Sequence, residues 1–408
     1  MTGKKTRILV FIGGRSPEHD VSIITGLQAL QALDPARYEA QALYIAPNGA
    51  WLVGDSLRNR ETYIPNLATA KDLTEVTLAM GSNNQPMLLT VPKSFWQKPK
   101  RIEFDVAFLA FHGLIGEDGG IQGALETANV PYTGMRLLAS AVLMDKAATK
   151  RMLAETGVPV LPFKEIKRPR EGRLITAQEL EAQLGNVAFP CCLKPAHLGS
   201  SIGVAQVKNM QEISDVLTET FRFDDTALLE PFVENLEEYN VAVCEKDGAI
   251  LTSAIERPKC AAELLDFKTK YMPNGSGKMG GKQGTKSADH KGQASQGMLS
   301  LTRDINPELP KEFEDKIRKW AEIVFTHVAG TGAPRLDFLC NGKTREIWFN
   351  EANPCPGSFG YFLWEAAKNP ILFTELLDHL IEEALACHAR KQIPTDPTPV
   401  EARLFKRK

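Results

Sequence analysis

Long apolar runs alternate with stretches of helical spacing along this chain. Residues 7–12 (RILVFI) read as a buried strand that meets Gly13-Gly14-Arg15-Ser16-Pro17-Glu18. Ser16 suits an N-cap and Pro17 a first helical residue. Val21, Ile24, Leu27 and Leu30 then recur at the spacing of a helix. A strand is expected near 42–45. The span 55–103 reads as irregular and polar, with MLLTV (87–91) its only strand. Strand 104–111 (FDVAFLAF), a glycine-rich loop and a helix near 120–129 follow. Strand-helix-strand order with long apolar strands predicts a parallel α/β unit.

The pattern changes near 137. A helix over 140–155 ends at Gly157-Val158-Pro159. A helix near 176–184, strands near 188–194 and 202–207, a helix near 210–221 and a strand over 226–231 make an α+β unit. Two strands (239–245, 249–256) come next. Residues 273–300 are rich in Gly, Lys, Ser and Gln without hydrophobic period, so they are expected to form a long functional or disordered loop. A helix over 309–328, a hairpin over 335–357 and a helix over 370–387 complete the chain. The resulting division is 1–136, 137–231 and 232–408.

Composition narrows the function. A chain of 408 residues can hold two or three domains, and 43% hydrophobic with 24% charged content is that of a soluble globular protein. A net charge of −2 gives no electrostatic reason for a nucleic-acid or anionic-membrane partner. The first apolar run is too short for a signal segment, and no run is long enough to span a bilayer. Seven cysteines without a Cys-x-x-Cys pair fit reduced thiols in the cytoplasm.

The hairpin RLDFLCNGKTREIWFNEANPCPG carries the strongest chemistry. Asp337, Glu351 and Asn353 offer oxygen ligands of the kind Mg²⁺ takes. Arg335 lies two residues before Asp337 and so shares its strand face. A cation beside a metal site suggests phosphoryl chemistry; a solvated acidic edge is the plainer alternative. A tight turn at Asn341-Gly342 would set Asp337 opposite Glu346, whereas a loop centred on Thr344 would set it opposite Glu351. Sequence geometry leaves both open.

Other candidates are weaker singly. Lys194 ends a strand before Gly199-Ser200-Ser201 and Gly203, where backbone N–H groups could approach phosphate oxygens, or where the chain simply turns. Lys146 is a second lysine, ordinary if solvated. Glu230-Pro-Phe232-Val233 leaves a strand where a purine could be held, and Glu238 could accept from a ribose hydroxyl. The loop from His112 to Gly123 lies at a strand's carboxyl end, where ligands bind in α/β domains. It could face Glu18, whose carboxylate could take a substrate ammonium or simply favour its helix N-terminus.

Taken in order, GGRSPEHDVS (13–22), HGLIGEDGGIQGALE (112–126), PYTG (131–134), SAVLMDKAATK (140–150), KPAHLGSSIGV (194–204), KY (270–271) and RLDF…NEANPCPG (335–357) resemble the D-alanine–D-alanine ligase family of ATP-grasp enzymes. The resemblance covers nearly the whole chain. It implies a three-subdomain α/β and α+β fold, with an N-terminal parallel α/β domain and ATP held between two antiparallel sheets. It implies that Lys146 and Lys194 bind ATP phosphates, that Ser200 and Ser201 lie in a glycine-rich lid, and that Glu230, Phe232 and Val233 line the adenine site and Glu238 the ribose. Asp337, Glu351 and Asn353 would hold two Mg²⁺ ions, or Mn²⁺ in their place. Glu18 would bind the first amino acid's ammonium, Arg335 and the Gly357 N–H the oxyanion, Lys270 the second substrate's carboxylate, and Tyr271 would hydrogen-bond near Ser200. The implied reaction is dipeptide formation through an acyl phosphate, releasing ADP and phosphate, in peptidoglycan precursor synthesis. The implied state is cytoplasmic, with homodimers common in the family.

Three departures bear on the second substrate. Phe362 occupies the position of a family serine that helps bind it. The loop after Tyr271 is expanded and lacks the usual Pro-Ala segment. Asn235-Leu236-Glu237 replaces the usual Gly-Arg before Glu238. Retained Tyr271 favours an amine nucleophile. Two other readings are therefore a related ligase joining a D-amino acid or similar carboxylate to a different amine, and a non-catalytic nucleotide-binding paralogue.

Overall fold

Three β-sheets organise the chain in the computed structural model, which describes residues 4–63, 70–80, 86–170, 172–199, 202–259, 303–391 and 399–403. The first sheet contains β1 (Thr6–Gly13), β2 (Tyr38–Ile45), β3 (Trp51–Val53), β4 (Thr74–Met80), β5 (Pro86–Thr90), β6 (Arg101–Glu103) and β7 (Val106–Leu109). Their order is β6-β5-β4-β3-β2-β1-β7. Only β2, β1 and β7 run parallel. The rest pair antiparallel. The expected parallel α/β unit is present as β2-β1-β7, and the span read as irregular adds an antiparallel wing to it. β4 (TEVTLAM) mixes polar and apolar residues, so it has no long apolar run to betray it.

Helix α1 (His19–Ala32) packs on this sheet. It starts three residues after the expected cap, because Ser16 and Pro17 form a turn: the His19 N–H donates to the Ser16 carbonyl and the Glu18 N–H to Ser16 Oγ. Val21 and Ile24 are exposed, against the expected stripe, while Ser22, Ile23, Thr25, Gly26, Leu27, Ala29 and Leu30 are buried. The small, hydroxylated face lets the helix lie close to the sheet. Ser22 Oγ accepts from the Gly13 N–H and donates to the Ala110 carbonyl. A Cβ on Gly26 would come 2.0 Å from Ile12 Cγ2. Gly26→Ala is therefore expected to destabilise the fold by about 1–3 kcal/mol through overpacking. Urea unfolding checks this, and an unchanged midpoint would contradict the close approach.

Helix α2 (Gly120–Thr127) follows β7, then α3 (Leu137–Met144) and α4 (Lys146–Met152). The single helix expected over 140–155 is broken at Asp145. Its carboxylate caps α4 by accepting from the Ala147 and Ala148 N–H groups, both at 2.9 Å. The break makes Lys146 the first residue of its own helix.

The second sheet has β8 (Lys164–Lys167), β9 (Cys191–Pro195), β10 (Ala205–Val207) and β11 (Thr226–Pro231) in the antiparallel order β10-β9-β11-β8. Helices α5 (Ala177–Leu184) and α6 (Met210–Thr220) bury Leu180, Leu184, Ile213 and Leu217 against it. β9 and β10 both start three residues later than expected. Ser200 and Ser201, between them, lie outside the described residues, as do Lys270, Tyr271 and the polar segment 273–300.

The third sheet has β12 (Leu236–Lys246), β13 (Ala249–Pro258), β14 (Arg303–Ile305), β15 (Arg335–Asn341) and β16 (Ile347–Asn353), ordered β14-β13-β12-β15-β16. Helix α7 (Lys311–His327) covers one face. Beyond β16 come α8 (Tyr361–Glu365) and α9 (Phe373–Arg390). α9 shares one continuous core with β1 and β7, so the chain's end closes against its beginning.

The hairpin register decides between Glu346 and Glu351. Cys340 pairs with Ile347, and the Asn341 N–H donates to the Glu346 carbonyl, so the turn comprises 342–345. The register then slips by one residue, and Asp337 faces Glu351. The slip is a β-bulge at Asn350, which a reading of loop length alone does not reveal. Glu346 stays exposed beside the turn, accepting from Thr344 Oγ1.

Candidate active site

A cleft of about 240 Å³ lies between the second and third sheets. Lys146, Lys194, Glu230, Phe232, Val233, Glu238, Asn350 and Glu351 all line it. These residues come from α4, from β9 and β11, and from β12 and β16. The two lysines are fixed rather than solvated. Lys146 Nζ lies 3.0 Å from Glu351 Oε2 and donates to the Leu198 carbonyl at 2.7 Å. Lys194 Nζ lies 2.8 Å from Glu230 Oε2 and donates to Asn350 Oδ1 at 2.9 Å. The bulge thus aims Asn350 at the second lysine and Glu351 at the first.

Glu230 has a second partner that sequence reasoning missed. Lys150 Nζ sits 2.6 Å from Glu230 Oε1, with both side chains buried. Lys150 is four residues after Lys146 and so shares its helix face, which was the available signal. Burial alone would raise the Glu230 pKa, but the ammoniums of Lys194 and Lys150 hold it below the ordinary carboxylate range. The Glu230 carboxylate is a buried counter-ion for two lysines, and Phe232 and Val233 continue the cleft wall beyond it.

Acidic and amide side chains form a row across the third sheet. Glu256, Asn240, Asp337 and Glu351 occupy paired positions on β13, β12, β15 and β16. Asn240 Nδ2 donates to Glu256 Oε1 at 3.0 Å. Arg335 forks onto Asp337, with Nε to Oδ1 and Nη2 to Oδ2 both at 2.7 Å, and Asn353 Nδ2 donates to Asp337 Oδ2 at 2.9 Å. Burial pushes Glu238 up to about 7, helped by the nearby charges of Asp337 and Glu351. Asp337 is likewise raised by burial, against the pull of Arg335. Glu351 alone is lowered: burial opposes ionisation, but Lys146 and Lys194 win. Buried carboxylates crowded on one sheet face are what a divalent cation would relieve, and Asp337, Glu351 and Asn353 offer hard oxygen donors. The donor set fits Mg²⁺.

The first sheet meets this face from the other side. A Cβ on Gly113 would lie 2.6 Å from Glu18 Oε2, and one on Gly199 3.3 Å from the same atom. Glu18 therefore sits where the loop after β7 and the glycine segment after β9 converge, as expected for facing loops. Glu117 ties the loop after β7 to the segment before Gly357. Its carboxylate accepts from the Gly113 and Cys355 N–H groups, each at 2.6 Å. Burial pushes its pKa up to about 8. Thr25 Oγ1 accepts from the Ser358 N–H at 3.1 Å and contacts His112 Nε2 at 2.8 Å. Ser358 and Phe359 adopt positive φ of 51° and 56°, a costly backbone that these anchors sustain immediately after Gly357. Neither Glu117 nor Thr25 was singled out from sequence, because their importance lies in backbone groups distant along the chain.

His197 closes the lysine end. Its Nδ1 lies 2.8 Å from Asp224 Oδ1 and its Nε2 3.6 Å from Asp145 Oδ2. The nearby Asp145 carboxylate and then the hydrogen-bonded Asp224 raise it to about 10. A folded pKa above the unfolded value means that its stabilisation is full below about pH 6.5 and is lost as pH climbs through 10. The side chain is partly exposed and screened, so the effect is about 1 kcal/mol. Wild type should lose this increment between pH 6.5 and 10 relative to His197→Gln in parallel denaturant titrations. Parallel profiles would rule the charged network out.

Known proteins resemble this chain in sequence and fold. The family described as D-ala D-ala ligase N-terminus matches residues 7–135, and that described as D-ala D-ala ligase C-terminus matches 152–296 and 289–382. A D-alanine--D-alanine ligase of Bradyrhizobium sp. is 31% identical over 400 residues, covering 96% of this chain and 98% of that protein. The structure of the D-alanine-D-alanine ligase from Coxiella burnetii superposes with a TM-score of 0.71 at 27% identity, covering 95% of this chain and 96% of that one. The Bacillus anthracis D-alanine--D-alanine ligase complexed with ATP shares the fold at 22% identity and a TM-score of 0.58, over 95% of this chain and 100% of that one. With both halves matched and the relatives covered nearly end to end, the chain belongs to the D-alanine–D-alanine ligase family of ATP-dependent peptide-forming ligases.

Proposed function

We propose that this protein joins two D-alanines at the expense of ATP, in the cytoplasm, to supply a peptidoglycan precursor. The observation that carries this reading is the cleft in which buried Lys146 and Lys194 meet Glu351, whose sheet neighbour Asp337 is held by Arg335. A carboxylate is a poor electrophile for an amine, so the γ-phosphoryl group is first transferred to it, giving an acyl phosphate and ADP. Lys146 and Lys194 face the phosphates and offset their charge. Phe232 and Val233 wall the base, and Glu238 accepts from the ribose. Glu18 takes the first amino acid's ammonium. The second amino acid attacks through its neutral amine, the carbonyl oxygen gathers charge beside Arg335 and the Gly357 N–H, and phosphate leaves. Asp337, Glu351 and Asn353 would hold Mg²⁺, which supplies charge neutralisation on the transferring phosphoryl group. The roles that the family resemblance gives Ser200, Ser201, Lys270 and Tyr271 fall on residues outside those described. Excluding water protects the acyl phosphate from hydrolysis.

The test is phosphate release with ATP, Mg²⁺ and a panel of D- and L-amino acids, with the product weighed by mass spectrometry. D-Alanine alone should yield ADP, phosphate and the D-alanyl dipeptide in equal amounts. Silence with D-alanine and turnover with an unlike pair would overturn this reading in favour of a different acceptor.

A further inference from the structure

The loop joining β5 to β6 carries two aromatic side chains that the core does not use. Between Pro92 and Pro99 it reads PKSFWQKP. Its base is closed by the Thr90 N–H, which donates to the Lys100 carbonyl at 3.0 Å, and by the Lys100 N–H, which donates to Thr90 Oγ1 at 2.9 Å. At its apex the Gln97 N–H donates to the Ser94 carbonyl at 3.1 Å, which makes Phe95 and Trp96 the central residues of a turn. Gln97 Oε1 accepts from the Lys93 N–H at 2.9 Å and braces that turn. Such positions ordinarily go to Gly, Pro, Asn, Asp or Ser, each for a backbone reason. Here Phe95 is 94% exposed and Trp96 89% exposed, and the two rings meet edge to face 5.5 Å apart. Rings this exposed add nothing to the core, so the fold gives no reason for them.

The net charge of −2 conceals a local excess here. Lys93, Lys98, Lys100 and Arg101 all lie between residues 91 and 102, a stretch without Asp or Glu. All four are exposed. The flanking strands bring Glu75 and Glu103, and Arg7 holds Glu103 at 2.8 Å. The loop belongs to the antiparallel wing of the first sheet. β5 stands four strands from β1, on the order of 20 Å by strand spacing, and the loop lines no part of the cleft.

An aromatic tip flanked by cations fits the surface of an anionic bilayer. Trp and Phe settle at the headgroup level, and Lys and Arg are drawn to anionic headgroups. A second copy of this chain would set like charges against each other. Single-stranded nucleic acid stacks its bases on flat aromatic faces along a groove, whereas these rings stand at 85° to each other on a projecting turn. We propose that the Phe95-Trp96 tip docks this protein on anionic membrane surfaces. Among the described residues no helix is long and apolar enough to cross a membrane, so the contact is peripheral and reversible.

The test is co-sedimentation of the full chain, without ATP or amino acid, with vesicles of phosphatidylcholine alone or mixed with phosphatidylglycerol. The protein should pellet with the mixed vesicles, and raised salt should release it. Replacing Lys93, Lys98 and Lys100 together by Gln should weaken binding by about 100-fold, about fivefold for each lysine near the surface. Phe95→Ser with Trp96→Ser should weaken it by at least about 10-fold. Both variants should keep wild-type D-alanine-dependent phosphate release, which shows that they fold. Trp96→Phe keeps a ring and should still bind, but should lose the blue shift in tryptophan emission that wild type shows on adding mixed vesicles. Wild type that stays in the supernatant at low salt overturns the proposal, as does binding that both tip variants retain. A concentration-dependent dimer abolished by the Ser variant would assign the tip to a second copy instead. An oligonucleotide bound more tightly than the mixed vesicles, and through the same residues, would assign it to nucleic acid.

Discussion

Glu351→Gln is expected to lower D-alanine-dependent phosphate release by about 10²- to 10³-fold, the typical loss when one electrostatic contributor to a charged transition state is removed. Glu351 is held ionised by Lys146 at 3.0 Å, against burial that would otherwise raise its pKa. It also faces Asp337 across the bulged hairpin. The amide preserves shape and volume, so the fold should survive, with Lys146 still bound to the Leu198 carbonyl. Two effects then follow. The donor set for Mg²⁺ changes from two carboxylates and an amide to one carboxylate and two amides, so the Mg²⁺ concentration for half-maximal activity should rise by about 10- to 100-fold. The added thermal stability seen with ATP and Mg²⁺ together should shrink toward that seen with ATP alone. Steady-state rates across a Mg²⁺ titration, with thermal melts alongside, separate these. Full activity at unchanged Mg²⁺ demand would refute the assignment of Glu351.

The second large effect is on stability. Glu230→Gln should destabilise the protein by about 3–5 kcal/mol, because it leaves Lys150 and Lys194 buried without their shared counter-ion. Removing one member of a buried charge cluster costs more than the cluster contributes, since the remaining charges cannot return to water. A pH signature accompanies it. The folded pKa of Glu230 lies below its unfolded value, so its stabilisation is present above the ordinary carboxylate range and is lost as pH falls through the folded value. Wild type and Glu230→Gln should therefore converge in stability under acid and diverge toward neutrality. Urea unfolding at several pH values measures both, and a neutral-pH difference under 1 kcal/mol would contradict the buried triad. Weaker ATP binding is expected as well, because Lys194 loses the carboxylate that aims it.

Much of this was legible in the residues before any fold was known. The apolar runs at 7–12 and 104–111 became adjacent parallel strands, because a strand buried on both faces must be apolar throughout. Lys194, Glu238 and Glu351 were recognisable as charged residues near strand ends and Lys146 as a lysine within a helix, and they line one cleft. β4 escaped notice because a wing strand of mixed residues has no long apolar run. The buried face of α1 was misjudged because hydrophobicity points to Val21 and Ile24, whereas close packing onto Ile12 favours Ser22, Thr25 and Gly26.

What the sequence by itself determined is the inventory: which side chains carry charge, which runs must be buried, and the order in which the motifs occur. That was enough for fold class and family, since both depend on local pattern and spacing. Only the tertiary structure decided the partnerships. Whether Asp337 faces Glu346 or Glu351 rested on the turn over 342–345, and the bulge at Asn350 then set Glu351 rather than Asn350 opposite Asp337. Glu230 became a counter-ion and Glu117 a clamp on two distant backbones, each through a contact between segments far apart in the chain. Such contacts fall off with distance in space, not in sequence, and so no local pattern records them.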